Sequence, residues 1–148
     1  MYRRILIATD GSELAGKAVA HGLALAKDQN ASVVAVAVTE PWSSFEMAHD
    51  YDRGEKNPIS RFEALAAEAA KKILGKVADA AKSQGVACEQ VHVPDMHPAE
   101  GIVATAKEKG CDLIVMASHG RRGVGRLLLG SQAYEVLTHS KVPTMIVR

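Results

Sequence analysis

Short runs of consecutive apolar residues alternate along this chain with longer segments of helical period, and this alternation constrains the fold more than any other feature. Residues 5–8, 33–38 and 113–116 contain no polar side chain, which is typical of strands buried on both faces of a sheet. Between these runs, apolar residues recur at intervals of three and four, as in amphipathic helices. The alternation predicts an α/β fold, in which a parallel sheet has helices on both faces.

The full pattern predicts five strands and four helices. Strands are predicted over residues 5–8, 33–38, 86–93, 113–116 and 144–147. Helices are predicted from a Ser12 cap to Asn30, and over residues 59–85, 98–110 and 131–139. Segment 42–58 has no clean period of 2 or 3.6, so we expect a partly ordered excursion there. Its Trp42, Phe45 and Tyr51 could cover a nearby ligand, but a surface loop that packs its own side chains is favoured.

Length and charge exclude several classes of protein. The chain has 148 residues, and a chain of this size buries about two thirds of its surface on folding, so it needs no disulfide or metal to fold. We expect one domain over residues 1–148. Eighteen Lys and Arg against seventeen Asp and Glu give a net charge of +1. This lacks the positive field on which non-specific binding to nucleic acid or to an anionic membrane depends, so neither partner is expected.

The cysteines, the histidines and the first residues allow predictions about metal sites, redox sites and location. Cys88 and Cys111 lack the CxxC spacing of a zinc or redox site and predict structural thiols. The six histidines show neither HxxxH nor HExxH spacing, so no dedicated metal site is expected. The apolar run near the start ends after four residues, whereas a membrane span needs about 18, and a cytoplasmic location is therefore expected.

Two strand ends carry the candidate binding residues, because ligands of open parallel sheets lie beyond the carboxyl ends of the strands. The first strand runs into Asp10-Gly11-Ser12, and the fourth into a glycine-punctuated loop from Gly120 to Gly130 that precedes a helix. Glycines let backbone amides approach an anion, and a helix start offers unpaired N–H groups. This predicts a phosphate cradle. Neither of the common nucleotide fingerprints is present, so a surface loop with turn-forming glycines remains the alternative.

The same segment resembles the signature of the universal stress protein family, Gly-x2-Gly-x9-Gly-Ser/Thr. Here Ser118-His119-Gly120 is followed, after nine residues, by Gly130-Ser131. Residues 5–12, 98–102, 111–116 and 136–143 also resemble that family, in the same order along the whole chain. The resemblance implies an open five-stranded parallel sheet of order 3-2-1-4-5, Rossmann-like and similar to the adenine nucleotide alpha hydrolases. It also implies a homodimer through the C-terminal strand and, in one branch of the family, bound ATP, which would bring Mg²⁺.

The resemblance to the ATP-binding branch implies a set of site residues, carried over position by position. The expected adenine and ribose contacts are Ala8, Thr9, Asp10, Val38, Met116 and Ala117. The expected phosphate contacts are His119, Gly120, Arg121, Arg122, Gly130, Ser131 and Gln132. No catalytic residue and no metal ligand can be named, so at most slow ATP hydrolysis is expected. A Gly130→Arg change is expected to block the cradle and leave the fold intact.

Several positions in or near this site have more than one interpretation. Ala117 stands where the family signature has its first glycine; it is harmless if only a small side chain is needed, as we favour, but costs about 1 kcal/mol if the backbone needs a positive φ. Asp95 stands where the family often has glycine, and could repel phosphates or help to hold a divalent ion. Asp10 could be a turn former alone. For His119, a hydrogen bond to a backbone carbonyl is favoured over catalysis.

Three function classes follow from these observations. The first is an ATP-binding universal stress protein that acts in stress adaptation as a nucleotide-dependent switch. The second is a universal stress protein that binds no nucleotide and acts as a dimeric interaction module. The third, a response-regulator-like or flavin-binding domain, is less favoured because a single acid, Asp10, follows the first strand and no lysine follows the last.

Overall fold

Five parallel strands form one sheet in the part of the chain that the structure, a computed structural model, describes: residues 1–120 and 129–148. The strands are β1 (Arg4–Ala8), β2 (Ser32–Val38), β3 (Cys88–Val93), β4 (Leu113–Ala117) and β5 (Thr144–Val147). The helices are α1 (Glu13–Gln29), α2 (Ser44–Asp52), α3 (Pro58–Ser83), α4 (Pro98–Glu108) and α5 (Ser131–His139). The strand order is β3-β2-β1-β4-β5. The predicted fold class and strand order are thus confirmed.

The centre of the sheet is buried on both faces, as the apolar runs predict. Side chains alternate between the two faces along each strand. Ile7 and Val115 pack in the cluster that includes Leu23 of α1, whereas Leu6 and Ile114 pack on the other face in the cluster that includes α4 and α5. Consecutive apolar residues are therefore required in the central strands, since each of them faces a helix layer.

The ends of α1 follow local rules that are visible in the sequence. The Ser12 hydroxyl accepts a hydrogen bond from the Ala15 amide at 3.2 Å, which makes Ser12 the N-cap. Asn30 closes the helix in the left-handed conformation, with φ of 53°. Both predicted caps are confirmed. The helix predicted over residues 59–85 is α3, which begins at Pro58 and ends at Ser83.

The prediction for segment 42–58 is wrong, because residues Ser44–Asp52 form the helix α2. A capping box starts it: the Ser43 hydroxyl accepts from the Glu46 amide at 3.2 Å, and the Glu46 carboxylate accepts from the Ser43 amide at 3.4 Å. Met47 is the buried residue of α2, and Phe45 remains 82% exposed. A helix that buries one residue shows no helical period of apolar residues in its sequence. The Ser-x-x-Glu spacing of the capping box was nevertheless visible in the sequence and indicates a helix start.

Charged side chains form ion pairs near the amino ends of β1 and β3. Glu89 of β3 pairs with the Arg4 guanidinium of β1 and, at 2.6 Å, with the Lys109 ammonium beyond α4. These two cations lower the pKa of the Glu89 carboxyl. In the described part of the chain, no helix is both long and apolar enough to cross a membrane.

Candidate functional site

A cavity of about 690 Å³ opens at the carboxyl ends of the central strands. Its walls come from the ends of β1, β2 and β4 and from the first turns of α1, α4 and α5. Strand order reverses between β1 and β4, and this switch point is where open parallel sheets bind ligands. The lining residues are Ala8, Thr9, Asp10, Ala15, Val36, Val38, Glu40, Pro98, Ile102, Met116, Ala117, His119, Gly120, Gly130, Ser131, Gln132 and Ala133.

Eleven of the thirteen predicted site residues line this cavity. The remaining two, Arg121 and Arg122, lie outside the described residues. Sequence reasoning did not place six further lining residues in the site: Ala15, Val36, Glu40, Pro98, Ile102 and Ala133. Most of these are apolar residues on the inner faces of helices or on a central strand. Nothing in their local sequence separates a cavity wall from a core position.

The end of β2 presents backbone groups to the cavity. Its pairing with β1 stops at Val36, whereas its pairing with β3 continues to Val38. The Val36 carbonyl accepts from the Thr9 amide at 3.0 Å, and the Thr39 amide donates to the Val93 carbonyl at 2.9 Å. Because backbone direction alternates along a strand, the N–H and C=O of Val38 point to the β1 side, beyond the last β1 pair. A donor and an acceptor therefore lie side by side next to an apolar wall.

Asp10 combines a turn with a position in the cavity wall. Its Oδ1 accepts from the Ser12 amide at 2.9 Å, so Asp10 does form a turn, and it also lines the cavity. A Cβ built on Gly120 would lie 2.5 Å from Asp10 Oδ2. The ends of β1 and β4 therefore touch at this point, and only glycine fits at position 120 without displacing the carboxylate.

The start of α5 is the anion-compatible part of the wall. Gly130 is the N-cap, and with no side chain it leaves the first-turn amides of Ser131, Gln132 and Ala133 without a partner among the described residues. The helix dipole and these N–H groups favour a negative group. By contrast, the start of α1 is capped by the Ser12 hydroxyl.

Gly130 fits tightly against the end of β4, and this corrects the expectation for Gly130→Arg. Its amide donates to the Ser118 carbonyl at 2.7 Å, and a Cβ at Gly130 would lie 2.7 Å from that same oxygen. Any side chain therefore pushes on backbone. The change would disturb the local fold, so it is not a clean test of ligand binding.

Backbone geometry and contacts add information on three of the ambiguous positions. Ala117 ends β4, and positive φ among the described non-glycine residues occurs only at Asn30 and Asp95, so the alanine at position 117 carries no cost from a positive φ. Asp95 has a φ of 56°, is exposed and does not line the cavity. The described geometry supports neither phosphate repulsion nor ion binding by its carboxylate. The expected hydrogen bond from His119 is absent at Nδ1, which is buried without a partner among the described residues.

Charge in the described wall is acidic, since the carboxylates of Asp10 and Glu40 both line the cavity. The described residues include no cluster of three or more His, Cys, Asp and Glu side chains that could hold a metal ion. On β3, the His92 ring nitrogen Nε2 lies 2.7 Å from the Thr39 hydroxyl, and burial lowers the pKa of His92. Burial also raises the pKa values of the Cys88 and Cys111 thiols, as expected of structural thiols.

Comparison with known proteins identifies the family. The sequence model of the universal stress protein family matches residues 1–148. The chain belongs to the universal stress protein family. It is 33% identical to universal stress protein MJ0531 of Methanocaldococcus jannaschii over 150 residues, covering 100% of this chain and 83% of that protein. Family membership removes the response-regulator-like and flavin-binding alternatives.

Solved structures with the same fold include two with more than a quarter of their residues identical to this universal stress protein. One is protein MJ0577 of Methanocaldococcus jannaschii, with a TM-score of 0.80 and 28% identity, covering 99% of this chain and 96% of that one. The other is a universal stress protein in complex with cAMP, with a TM-score of 0.72 and 26% identity, covering 99% and 97%. The five-stranded fold is therefore shared with other members of the family.

Proposed function

We propose that this universal stress protein binds an adenine nucleotide, ATP among them, in the cavity at the carboxyl ends of β1 and β4. Binding would serve as a nucleotide-dependent switch in stress adaptation. The observation that carries the proposal is that one cavity of about 690 Å³ contains both the Val38 backbone, which lies beyond the last β1 pair, and the start of α5, whose first-turn amides have no partner among the described residues. Ligand pockets for small molecules are typically about 300–1,000 Å³.

The Val38 edge suits the adenine base. Adenine carries an amino donor next to a ring-nitrogen acceptor on one edge, and the adjacent C=O and N–H of Val38 are complementary to that pair. Ala8, Val36 and Met116 line the same cavity with apolar surface, against which a flat base would pack. The related universal stress protein solved with cAMP supports an adenine ligand for this fold.

The start of α5 suits the phosphates. Three amides without a partner among the described residues lie at Ser131, Gln132 and Ala133, and the Ser131 hydroxyl is exposed beside them. These groups are donors, which phosphate oxygens need. Mg²⁺ would arrive with the nucleotide, because magnesium is commonly held by substrate phosphates together with one or two carboxylates. We propose at most slow hydrolysis, because Asp10 Oδ1 is already occupied by the Ser12 amide.

A titration with a matched pair of variants tests this proposal. Purified protein is denatured to look for released nucleotide, and ATP, adenosine and GTP are then titrated by calorimetry. Ser131→Glu places a negative charge at the start of α5 and should weaken ATP binding by about tenfold or more. Ser60→Glu is the control, because Ser60 is also an exposed serine in the first turn of a helix but does not line the cavity. No heat with any ligand at millimolar concentration would overturn the proposal.

We also propose a homodimer through β5. Among the described strands, β5 lies at the edge of the sheet and pairs with β4 alone. Tyr134, Leu137 and Met145 are exposed apolar residues on α5 and β5. An open strand edge beside apolar side chains favours pairing with a second copy. Light scattering after gel filtration should give twice the mass of the monomer. Met145→Lys should reduce this measured mass. A dimer that binds no nucleotide would instead support the alternative function, a dimeric interaction module.

A further inference from the structure

The cavity wall contains a hydrogen bond that joins the starts of two helices. The side-chain oxygen of Gln132, in the first turn of α5, accepts from the backbone amide of Ala99, in the first turn of α4, at 2.9 Å. The N-cap of α4, His97, makes no side-chain capping bond, and Pro98 at the first helical position has no N–H. Gln132 thus acts as the cap of a helix to which it does not belong.

This bond determines the orientation of the Gln132 carboxamide. Because a backbone N–H can only donate, the atom that faces Ala99 must be the oxygen, and the amide nitrogen must point elsewhere. The nitrogen makes no hydrogen bond with any described residue and is not among the buried unpaired atoms, so it is accessible. Gln132 lines the cavity. The accessible nitrogen is therefore a donor whose direction is held by the oxygen.

The same bond assigns different roles to the two helix starts. The Ala99 amide is used by the protein, whereas the first-turn amides of Ser131, Gln132 and Ala133 have no partner in the described part of the chain. An anionic group entering the cavity consequently meets donors on the α5 side. The acceptor of Gln132 is turned away from it, toward α4.

We propose that Gln132 is a positioning and specificity-determining residue of this site: by holding its oxygen on Ala99, it caps α4 and directs its amide N–H groups toward the phosphate of the ligand. This rests on the proposed function, since it concerns the same cavity. A carboxylate in place of the carboxamide would keep the cap on α4, because it still offers an oxygen to Ala99. It would replace the N–H donors by a second, negatively charged acceptor.

Two substitutions separate the cap from the donor. Gln132→Glu should leave Tm unchanged within error and weaken cAMP and ATP binding by about tenfold or more, while adenosine, which has no phosphate, changes by less than about twofold. Gln132→Met removes both the capping oxygen and the N–H donors. It should therefore lower Tm by about 2–6 °C and weaken the binding of cAMP and ATP more than the binding of adenosine. Gln90→Glu is the charge control, since Gln90 is exposed on β3 and does not line the cavity.

Each result has a defined meaning. Equal weakening of adenosine and the nucleotides in Gln132→Glu would overturn the proposal, because a merely structural role affects the whole cavity. Unchanged binding of all ligands in that variant would overturn it as well. If the unaltered protein binds none of adenosine, cAMP and ATP, the proposed function itself fails, and this inference fails with it.

Discussion

Replacing Gly120 by alanine would press a methyl group against the Asp10 carboxylate. In Gly120→Ala the new methyl carbon would lie 2.5 Å from Asp10 Oδ2, whereas an ordinary contact begins near 3.4 Å. One of the two atoms must therefore move by about 0.9 Å. If the carboxylate retreats as a unit, the 2.9 Å hydrogen bond from the Ser12 amide to Oδ1 is stretched beyond hydrogen-bond distance.

The magnitude follows from the bond that is lost. A hydrogen bond to a charged group contributes about 1.5–3 kcal/mol, and part of this returns because water reaches the partly exposed turn. We expect Gly120→Ala to reduce the free energy of unfolding by about 1–2 kcal/mol, which corresponds to a fall in Tm of about 3–6 °C for a chain of this size. ATP affinity should fall too, since both residues line the cavity.

A double-mutant cycle provides the decisive assay. Urea unfolding is measured for the parent protein, Gly120→Ala, Asp10→Ala and the double variant. Asp10→Ala removes the atom that the methyl would meet, so the cost of Gly120→Ala should shrink by about 0.5 kcal/mol or more in that background. Effects of alanine on the unfolded chain cancel in the cycle. An equal cost in both backgrounds would refute the argument that the two strand ends touch through this carboxylate.

Three further predictions concern the core, a titrating side chain and the thiols. In urea unfolding, Gly22→Ala should reduce the free energy of unfolding by about 1–3 kcal/mol, because the new methyl group would lie 2.6 Å from the buried Ile7 Cδ1. Gly16→Ala in the same helix is the control: its methyl group would meet open space, so this change should raise the free energy of unfolding. Burial lowers the pKa of His92 in the folded chain, so the unfolded chain takes up a proton first and stability is lost as pH falls through about 6.5. His92→Gln should flatten this loss between about pH 7.5 and 5.5 in thermal melts, and a loss as steep as in the parent protein would contradict the assignment. Iodoacetamide should alkylate Cys111 slowly in the native protein and fast in urea, as measured by mass spectrometry. The reason is that the Cys111 thiol is buried and its pKa is raised. Fast alkylation without urea would contradict this prediction.

Much of the fold could be predicted because its signals are local. The central strands are continuous apolar runs since every residue in them faces a helix, and α1 is delimited by Ser12 and Asn30, whose side chains and backbones form the caps. The helix α2 was missed because it buries Met47 alone, which leaves no periodic stripe to detect. Its capping box was the one local signal available.

Some residues of the candidate site could likewise be predicted from local sequence, and others could not. Gly120, which follows β4, and Gly130 and Ser131, at the start of α5, could be identified from sequence, because a turn or helix start demands particular residue types. Glu40 and Ala133 could not, since their place in the wall depends on how helices pack against the sheet. Sequence placed Gln132 in the site, but only the structure shows that its oxygen is used by Ala99, 33 residues away along the chain.

The sequence by itself therefore determined the layer architecture, the helix caps and the strand ends at which a ligand would lie. These depend on residue type and spacing, which act over a few neighbours. The tertiary structure alone decided the register that leaves the Val38 backbone beyond the end of β1, the contact of Gly120 with Asp10 and the bond from Ala99 to Gln132. Each of these joins residues distant in the chain. Their distances are set by the packing of the whole sheet and its helices, which no local pattern encodes.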